Sequence, residues 1–152
     1  MWRQTLHVLM VEDDPDYLAL AQAWLTSRPA AKFRVESAAT LATGLARMAK
    51  GGLDVILLDL GLPDSRGAAT FEAVRAQSSD IPIVLLTASD EEGLSLELVD
   101  AGAQDYLVKD RCDGATLERS LLHSILRSQR ESSRLGNFGA CESPAGSDVS
   151  QG

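Results

Sequence analysis

The sequence contains few of the features that mark secreted or membrane-spanning proteins. Its two cysteines, Cys112 and Cys141, form no CxxC motif and are too few for a disulfide framework. No apolar run approaches the roughly 18 residues that would span a bilayer. The apolar stretch near the N-terminus is too short for a signal peptide, and no small-residue cleavage site follows it. These absences predict a cytoplasmic protein with unpaired thiols and no membrane contact.

Basic residues are also scarce in this sequence. The chain has 14 Lys and Arg against 22 Asp and Glu, which gives a formal net charge of −8. A nucleic-acid-binding surface normally carries a basic patch, so this balance argues against direct binding of DNA or RNA. Apolar residues make up 45% of the 152 residues and charged residues 24%, which is typical of a globular protein with one hydrophobic core.

Five apolar segments of strand length alternate with segments of helical periodicity. The predicted strands are Leu6–Val11, Lys32–Ala38, Val55–Leu58, Ile81–Leu86 and Tyr106–Val108. The predicted helices run from Pro15 to about Arg28, from the Thr40 cap to Gly51, over Ala68–Gln77, through Leu94 and Leu98 to Gly102, and over Ala115–Arg130. This alternation predicts βαβ units, and therefore an α/β fold with one doubly wound, five-stranded parallel sheet and helices on both faces.

The composition changes at Glu131. From there to residue 152 the composition turns to Ser, Gly, Asn and Pro with no periodicity, which predicts a flexible tail after a single domain over residues 1–130. The residues after Arg130 are too few for a second DNA-binding or catalytic domain. We therefore expect either a protein that acts alone or a piece of a longer one.

The most informative stretch is 54–67, DVILLDLGLPDSRG, in which an apolar run ends in Asp59. A loop with Gly61, Pro63 and Gly67 follows. Nearly continuous Val, Ile and Leu are typical of a strand buried on both faces, and in open α/β sheets ligands collect just beyond the carboxyl ends of such strands. By itself a strand-terminal Asp is more often a turn or helix cap, so Asp59 needs support from the other strands.

The other predicted strands also end in polar residues. Glu12 and Asp13 follow the first strand, Thr87 follows the fourth and Lys109 follows the fifth. In a parallel sheet these ends lie at one edge, so three carboxylates, a hydroxyl and an ammonium should converge. Clustered carboxylates suit Mg²⁺, and an aspartate is a competent nucleophile for phosphoryl transfer. Taken singly, Thr87 could be a helix cap and Lys109 a surface lysine, but their common edge favours a phosphoryl-transfer site.

With these residues in this order, the chain resembles the receiver domain of two-component response regulators from about Leu6 to Arg130. The resemblance implies the flavodoxin-like strand order 2-1-3-4-5. It also implies a role for each matching position: Asp59 as phospho-acceptor, Glu12 and Asp13 as the acidic pair that binds Mg²⁺ together with Asp59 and the main-chain carbonyl of Gly61, Thr87 and Lys109 as ligands of the phosphoryl group, and Tyr106 as the aromatic switch residue.

The resemblance implies a phosphoacceptor switch rather than a conventional enzyme. Such a domain takes a phosphoryl group from a sensor histidine kinase or a phosphotransfer protein and catalyses its own phosphorylation and dephosphorylation. The face formed by the fourth helix, fifth strand and fifth helix would then change for a downstream protein partner. Asp110 follows Lys109 where receivers often have a proline, which leaves the shape of this loop open.

Three other interpretations of the same fold are weaker. A pseudo-receiver that binds partners without phosphate would have a damaged acidic site, whereas here the key positions are intact. A metal-dependent phosphohydrolase with an aspartate nucleophile typically has a second acid two residues later, where this chain has Gly61. A flavin site is disfavoured because Glu12, Asp13 and Asp14 would repel a phosphate where a Ser, Thr or Gly loop is needed.

Overall fold

The structure is a computed structural model that describes residues 5–27 and 31–142. Five strands alternate with five α-helices within these ranges. The strands are β1 (Leu6–Val11), β2 (Phe33–Ala38), β3 (Val55–Asp59), β4 (Ile83–Thr87) and β5 (Asp105–Val108). The helices are α1 (Pro15–Thr26), α2 (Leu41–Met48), α3 (Ala68–Gln77), α4 (Glu92–Asp100) and α5 (Gly114–Glu142). Two single turns of 3-10 helix, Ser89–Glu91 and Lys109–Arg111, follow β4 and β5.

The strands form one parallel sheet in the order β2-β1-β3-β4-β5. This confirms the predicted doubly wound, flavodoxin-like topology. Every residue of the central strands β3 and β4 is buried, as their continuous Val, Ile and Leu residues predict. Because all five strands run the same way, their carboxyl ends lie along one edge of the sheet.

The hydrophobic core lies on both faces of the sheet. Alternate residues of β3 point to opposite sides, so that Leu57 packs with buried residues of α1 and α5, whereas Ile56 packs with those of α2, α3 and α4. Both side chains are completely buried. The two layers of helices hold β3 in the middle of the domain, and Asp59 is therefore presented from a fixed strand.

Side-chain caps set the beginnings of α1 and α2 at the predicted residues. Asp14 accepts a hydrogen bond from the backbone N–H of Asp16 at 2.9 Å, and Pro15 supplies the first helical position. Thr40 and Thr43 form a reciprocal capping box at the start of α2. Within the first acidic loop, Asp14 is thus a structural cap, which leaves Glu12 and Asp13 free for the site.

Some boundaries differ from the prediction. β4 begins at Ile83 rather than Ile81, because Pro82 has no N–H to donate to the sheet. α1 ends at Thr26, and the predicted stop at Arg28 lies outside the described residues.

The end of the last helix is the largest difference between the sequence-based prediction and the structure. We predicted that this helix ends at Arg130, but α5 continues to Glu142. The domain boundary at residue 130 and the flexibility of the chain after it stay predictions. The segment has no proline between Gly114 and Glu142, so an established helix can propagate through residues of modest helix propensity. The remainder of the predicted tail, 143–152, is outside the described residues.

None of the helices within the described ranges is both long and apolar enough to cross a membrane.

Replacing Leu57 with Ala tests the importance of the central strand for stability. Leu57 is fully buried between the sheet and two helices, so the truncation should lower the free energy of unfolding by about 3 kcal/mol. Leu20 of α1 is 45% exposed, and Leu20→Ala should change it by less than about 0.5 kcal/mol. Urea unfolding followed by circular dichroism measures both values, and equal losses would contradict this account of the core.

Candidate functional site

The carboxyl edge of the sheet brings most of the predicted site residues together. Glu12 follows β1, Asp59 is the last residue of β3 and Lys109 follows β5. Ligand oxygens of Glu12, Asp13 and Asp59 lie within 4.8 Å of one another. These residues line an open cleft of about 350 Å³, which also includes Gly61. The structure therefore brings together the three carboxylates and the ammonium at the ends of these strands.

Lys109 links two of the carboxylates. Its Nζ lies 2.5 Å from Oε1 of Glu12 and 3.2 Å from Oδ2 of Asp59. Burial alone would lower the pKa of Lys109, but its interactions with the two carboxylates outweigh this and raise the pKa above its usual value. Lys109 is therefore a fully charged ammonium at neutral pH, and it offsets part of the repulsion among the acids.

Glu12 is the most deeply buried carboxylate of the cluster. Its Oε2 accepts a hydrogen bond from the backbone N–H of Asp14 at 3.1 Å, while Oε1 forms an ion pair with the Lys109 ammonium. Burial, and then the interaction with Asp59, raise the pKa of Glu12 to about 7 despite the nearby lysine. One ammonium is thus not enough to hold the pKa of Glu12 at its usual value.

Asp59 is held at both oxygens of its carboxylate. The backbone N–H of Gly61 donates a hydrogen bond to Oδ1 at 3.0 Å, and Lys109 Nζ donates to Oδ2 at 3.2 Å. Its side chain is only 10% exposed. Asp13, in contrast, is exposed beside the cleft. The carboxylate of Asp59 is therefore oriented by the chain and opens onto the cleft that any donor must enter.

The donor set fits a hard divalent cation such as Mg²⁺. All the candidate ligands are oxygens, and Mg²⁺ prefers carboxylates together with water in an open site. The cleft leaves room for water, and within the described residues the buried Oε1 of Glu12 makes no hydrogen bond beyond its ion pair with Lys109. A cation at these carboxylates would supply the positive charge that the raised pKa of Glu12 indicates is lacking.

Thr87 and Tyr106 are not among the residues that line this cleft. The buried hydroxyl of Thr87 donates to the carbonyl oxygen of the next residue, Ala88, at 3.2 Å. The partly buried Tyr106 donates its hydroxyl to Oε2 of Glu92 at 2.7 Å, and Arg111 contacts the other oxygen of Glu92 at 2.8 Å. Tyr106 thus lines a separate groove of about 300 Å³ on the side of α4, β5 and α5.

The loop after Lys109 turns immediately into the short 3-10 helix Lys109–Arg111. Asp113 then accepts a hydrogen bond from the backbone N–H of Thr116 at 2.8 Å at the start of α5. The described peptide bonds are all trans. With Asp110 in place of a proline, the loop still presents Lys109 to the carboxylates.

Two neighbours of the site were not predicted from the sequence. The Tyr17 ring lies beneath the ammonium of Lys109, with 5.1 Å between Nζ and the ring centroid, a cation–π contact that helps to hold the lysine. Tyr17 lies in the first turn of a predicted helix, four residues after Asp13. This spacing could have suggested that its ring lies beside the site. Arg66 lines the rim of the cleft, and no sequence pattern pointed to it.

Comparisons with known proteins point to one family. The family model for the response regulator receiver domain matches residues 8–121. Swarming motility regulation protein RssB of Serratia marcescens is 36% identical over 104 residues, which are 68% of this chain and 46% of RssB. The KDP operon transcriptional regulatory protein KdpE of Escherichia coli (strain K12) is 40% identical over 103 residues, which are 68% of this chain and 44% of KdpE. The chain thus spans less than half the length of these two relatives.

Solved structures show the same fold. A sensor protein from Polaromonas sp. JS666 matches with a TM-score of 0.71 and 27% identity, over 81% of this chain and 98% of that one. A CheY-like response regulator receiver domain protein from Methanospirillum hungatei JF-1 matches with a TM-score of 0.73 and 23% identity, over 84% and 99% of the two chains. The latter likeness concerns the fold alone.

The parallel sheet and the acidic cluster at its carboxyl edge define a doubly wound α/β protein with a candidate site for a cation. Within that class, the match over residues 8–121 is specific. The chain belongs to the response regulator receiver domain family.

Replacing Glu12 with Gln tests the raised pKa of this carboxyl in metal-free protein. The folded-state pKa of Glu12 is about 7, against the usual 4.5. The protonated Glu12 carboxyl therefore contributes fully to the stability of the fold below pH 4.5, and this contribution is lost as the pH rises to about 7. With EDTA present, the free energy of unfolding of the wild type should fall by about 1–2 kcal/mol more than that of Glu12→Gln between roughly pH 5 and pH 8. Urea unfolding at both pH values measures this difference.

Asp16→Asn, on the exposed first turn of α1, is the control, and its free energy of unfolding should change with pH as that of the wild type does. The same loss of stability in the wild type and Glu12→Gln would contradict the raised pKa.

Proposed function

We propose that this receiver accepts a phosphoryl group on Asp59 and uses it to switch a protein-binding face. The observation that carries the proposal is the convergence of Asp59 with Glu12, Asp13 and Lys109 at one sheet edge. The family makes a sensor histidine kinase or a phosphotransfer protein in the cytoplasm the natural donor. The acidic charge balance supports a protein partner rather than direct contact with nucleic acid.

In the transfer step, a carboxylate oxygen of Asp59 attacks the phosphorus of the donor. An O–P bond forms as the bond from phosphorus to the donor breaks, and the electron pair leaves with the phosphohistidine nitrogen or, for acetyl phosphate, with the acetate oxygen. Hydrolysis reverses the modification, because attack by water releases inorganic phosphate and restores the carboxylate. In this sense the domain catalyses its own phosphorylation and dephosphorylation while acting as a switch.

The chain's own residues supply orientation and charge. The backbone N–H of Gly61 and the Lys109 ammonium fix the two oxygens of Asp59 before any donor arrives. Lys109 would then pair with a phosphoryl oxygen, since an ammonium close to the acceptor stabilises charge on the transferred group. The Thr87 hydroxyl, now bonded to the Ala88 carbonyl, would have to turn to reach the phosphoryl group.

Glu12, Asp13, Asp59 and the carbonyl of Gly61 are the residues that would hold Mg²⁺. When bound, the ion would supply positive charge that neutralises the cluster and the incoming phosphoryl oxygens. The exposed Asp13 is the side chain with the freest access to an ion from solvent.

The proposed readout of phosphorylation is the face formed by α4, β5 and α5. Tyr106 of β5 is tied to Glu92 at the start of α4, and Glu92 is also bound by Arg111. Movement of Thr87 toward a phosphoryl group would free space next to β5 for the Tyr106 ring to turn inward. That turn breaks the contact with Glu92 and changes what a partner meets on this face.

The intact acidic cluster disfavours a pseudo-receiver, and Gly61 at the second position after Asp59 disfavours a phosphohydrolase.

Asp59→Asn tests the acceptor directly. Because an amide cannot form an acyl phosphate, the variant should gain no phosphoryl group when incubated with acetyl phosphate and Mg²⁺, whereas the wild type gains one. Intact-mass spectrometry measures the gain, and EDTA should abolish it in the wild type. Asp90→Asn, which removes an exposed carboxylate from the same cleft, should be labelled like the wild type. Persistent labelling of Asp59→Asn would sink the assignment.

The switch is testable by NMR because the chain has only two tyrosines, Tyr17 and Tyr106. With ¹³C-labelled tyrosine, phosphorylation should shift the ring signals of Tyr106, since its hydroxyl leaves Glu92. Tyr106→Phe assigns the two signals, and Asp59→Asn treated with the same donor should show no shift. A Tyr106 signal that stays unchanged in fully phosphorylated protein would rule out the switch role.

A further inference from the structure

Arg66 is a cation at the rim of the acidic cleft to which the proposed function assigns no role. It is exposed and lines the cleft together with Asp59, Gly61 and Lys109. Several carboxylates surround the same cleft, yet no hydrogen bond or ion pair joins the Arg66 side chain to any side chain that the structure describes. An unpaired guanidinium beside a cluster of acids has its donors available for another anion.

The backbone places Arg66 next to the acceptor. Gly61 and Arg66 form an isolated antiparallel bridge within the loop that follows β3. Residues directly opposite each other in such a pair project their side chains to the same side. A Cβ at Gly61 would lie 3.9 Å from Oδ1 of Asp59 and 4.0 Å from Nη1 of Arg66. The guanidinium therefore borders the space that a side chain at position 61 would occupy, beside the Oδ1 side of the carboxylate.

The loop that carries Arg66 is anchored on both sides. The Asp64 carboxylate accepts hydrogen bonds from the backbone N–H groups of Leu41 and Ala42, at 2.8 and 3.0 Å, at the start of α2. The Ser65 hydroxyl is 2.7 Å from that of Thr70 in α3. Because these contacts fix the residues before Arg66, its backbone position is set by the fold, and only its side chain has to move.

We propose that Arg66 binds an oxygen of the phosphoryl group at Asp59, from the side of the carboxylate opposite to Lys109. Lys109 lies at Oδ2, whereas Arg66 borders the open space beside Oδ1, so the two cations flank the acceptor. The planar guanidinium suits two oxygens of one phosphoryl group, which a point charge does not match as well. The inference rests on the proposed function, because it names a further phosphoryl-binding residue at the same site.

The test is the dependence of the phosphorylation rate on acetyl phosphate concentration, at saturating Mg²⁺, for the wild type and Arg66→Gln. Loss of the guanidinium should raise the half-saturating concentration about three- to fivefold, the size of an exposed charge contact, and leave the limiting rate within about twofold. Arg66→Lys should recover part of the effect, because it keeps the charge without the planar geometry. Arg34→Gln removes the same charge from exposed β2 near the opposite edge and should match the wild type.

The outcomes separate the possible roles. A half-saturating concentration for Arg66→Gln equal to that of Arg34→Gln overturns the proposal. Tighter Mg²⁺ binding in Arg66→Gln, with donor binding unchanged, also overturns it and assigns Arg66 to the neutralisation of the acids. Failure of the wild type to be labelled at all overturns the proposed function on which the inference rests, whereas labelling lost in Asp59→Asn alone leaves that function standing.

Discussion

The contact of the Lys109 ammonium with the carboxylates of Glu12 and Asp59 is the interaction on which the site depends. It joins the ends of β1, β3 and β5 across the sheet edge. Without this charge, burial of two carboxylates beside a third would be strongly unfavourable. Even with it, the pKa of Glu12 stays near 7, so the site retains an affinity for further positive charge. This affinity for positive charge is the physical basis of the proposed Mg²⁺ site and of the proposed binding of the phosphoryl group by cationic side chains.

The fold places the groups of this interaction without a special arrangement of the loops. The fully buried strands β3 and β4 and the helices on both faces hold the edge rigidly, so Asp59 is positioned by strand geometry and by the Gly61 N–H. Movement is left to individual side chains, whether buried like Thr87 or exposed like Arg66. Thr87, Tyr106 and Arg66 each need only a side-chain rotation to take the roles proposed for them, which suits a switch better than a rearranged backbone would.

Much of this arrangement could be predicted from the sequence, because strand ends in a parallel sheet converge whatever the loops do. The positions of Glu12, Asp59 and Lys109 follow from that rule. The roles of Tyr17 and Arg66 do not, since they depend on side-chain directions and on a loop bridge that has no periodic signal. The prediction that α5 ends at Arg130 was wrong for a related reason. Propensity in a short polar segment does not reveal that a preceding helix can propagate through it.

The most direct test of the central claim is to locate the modified residue chemically. Wild-type protein treated with acetyl phosphate and Mg²⁺ is reduced with sodium borohydride, which converts an aspartyl phosphate to homoserine, and its peptides are mapped by mass spectrometry. Homoserine is expected at position 59 and nowhere else. Reduction at another aspartate, or a phosphate that survives borohydride on a different type of residue, would contradict the claim that the carboxylate held by Lys109 and Gly61 is the acceptor.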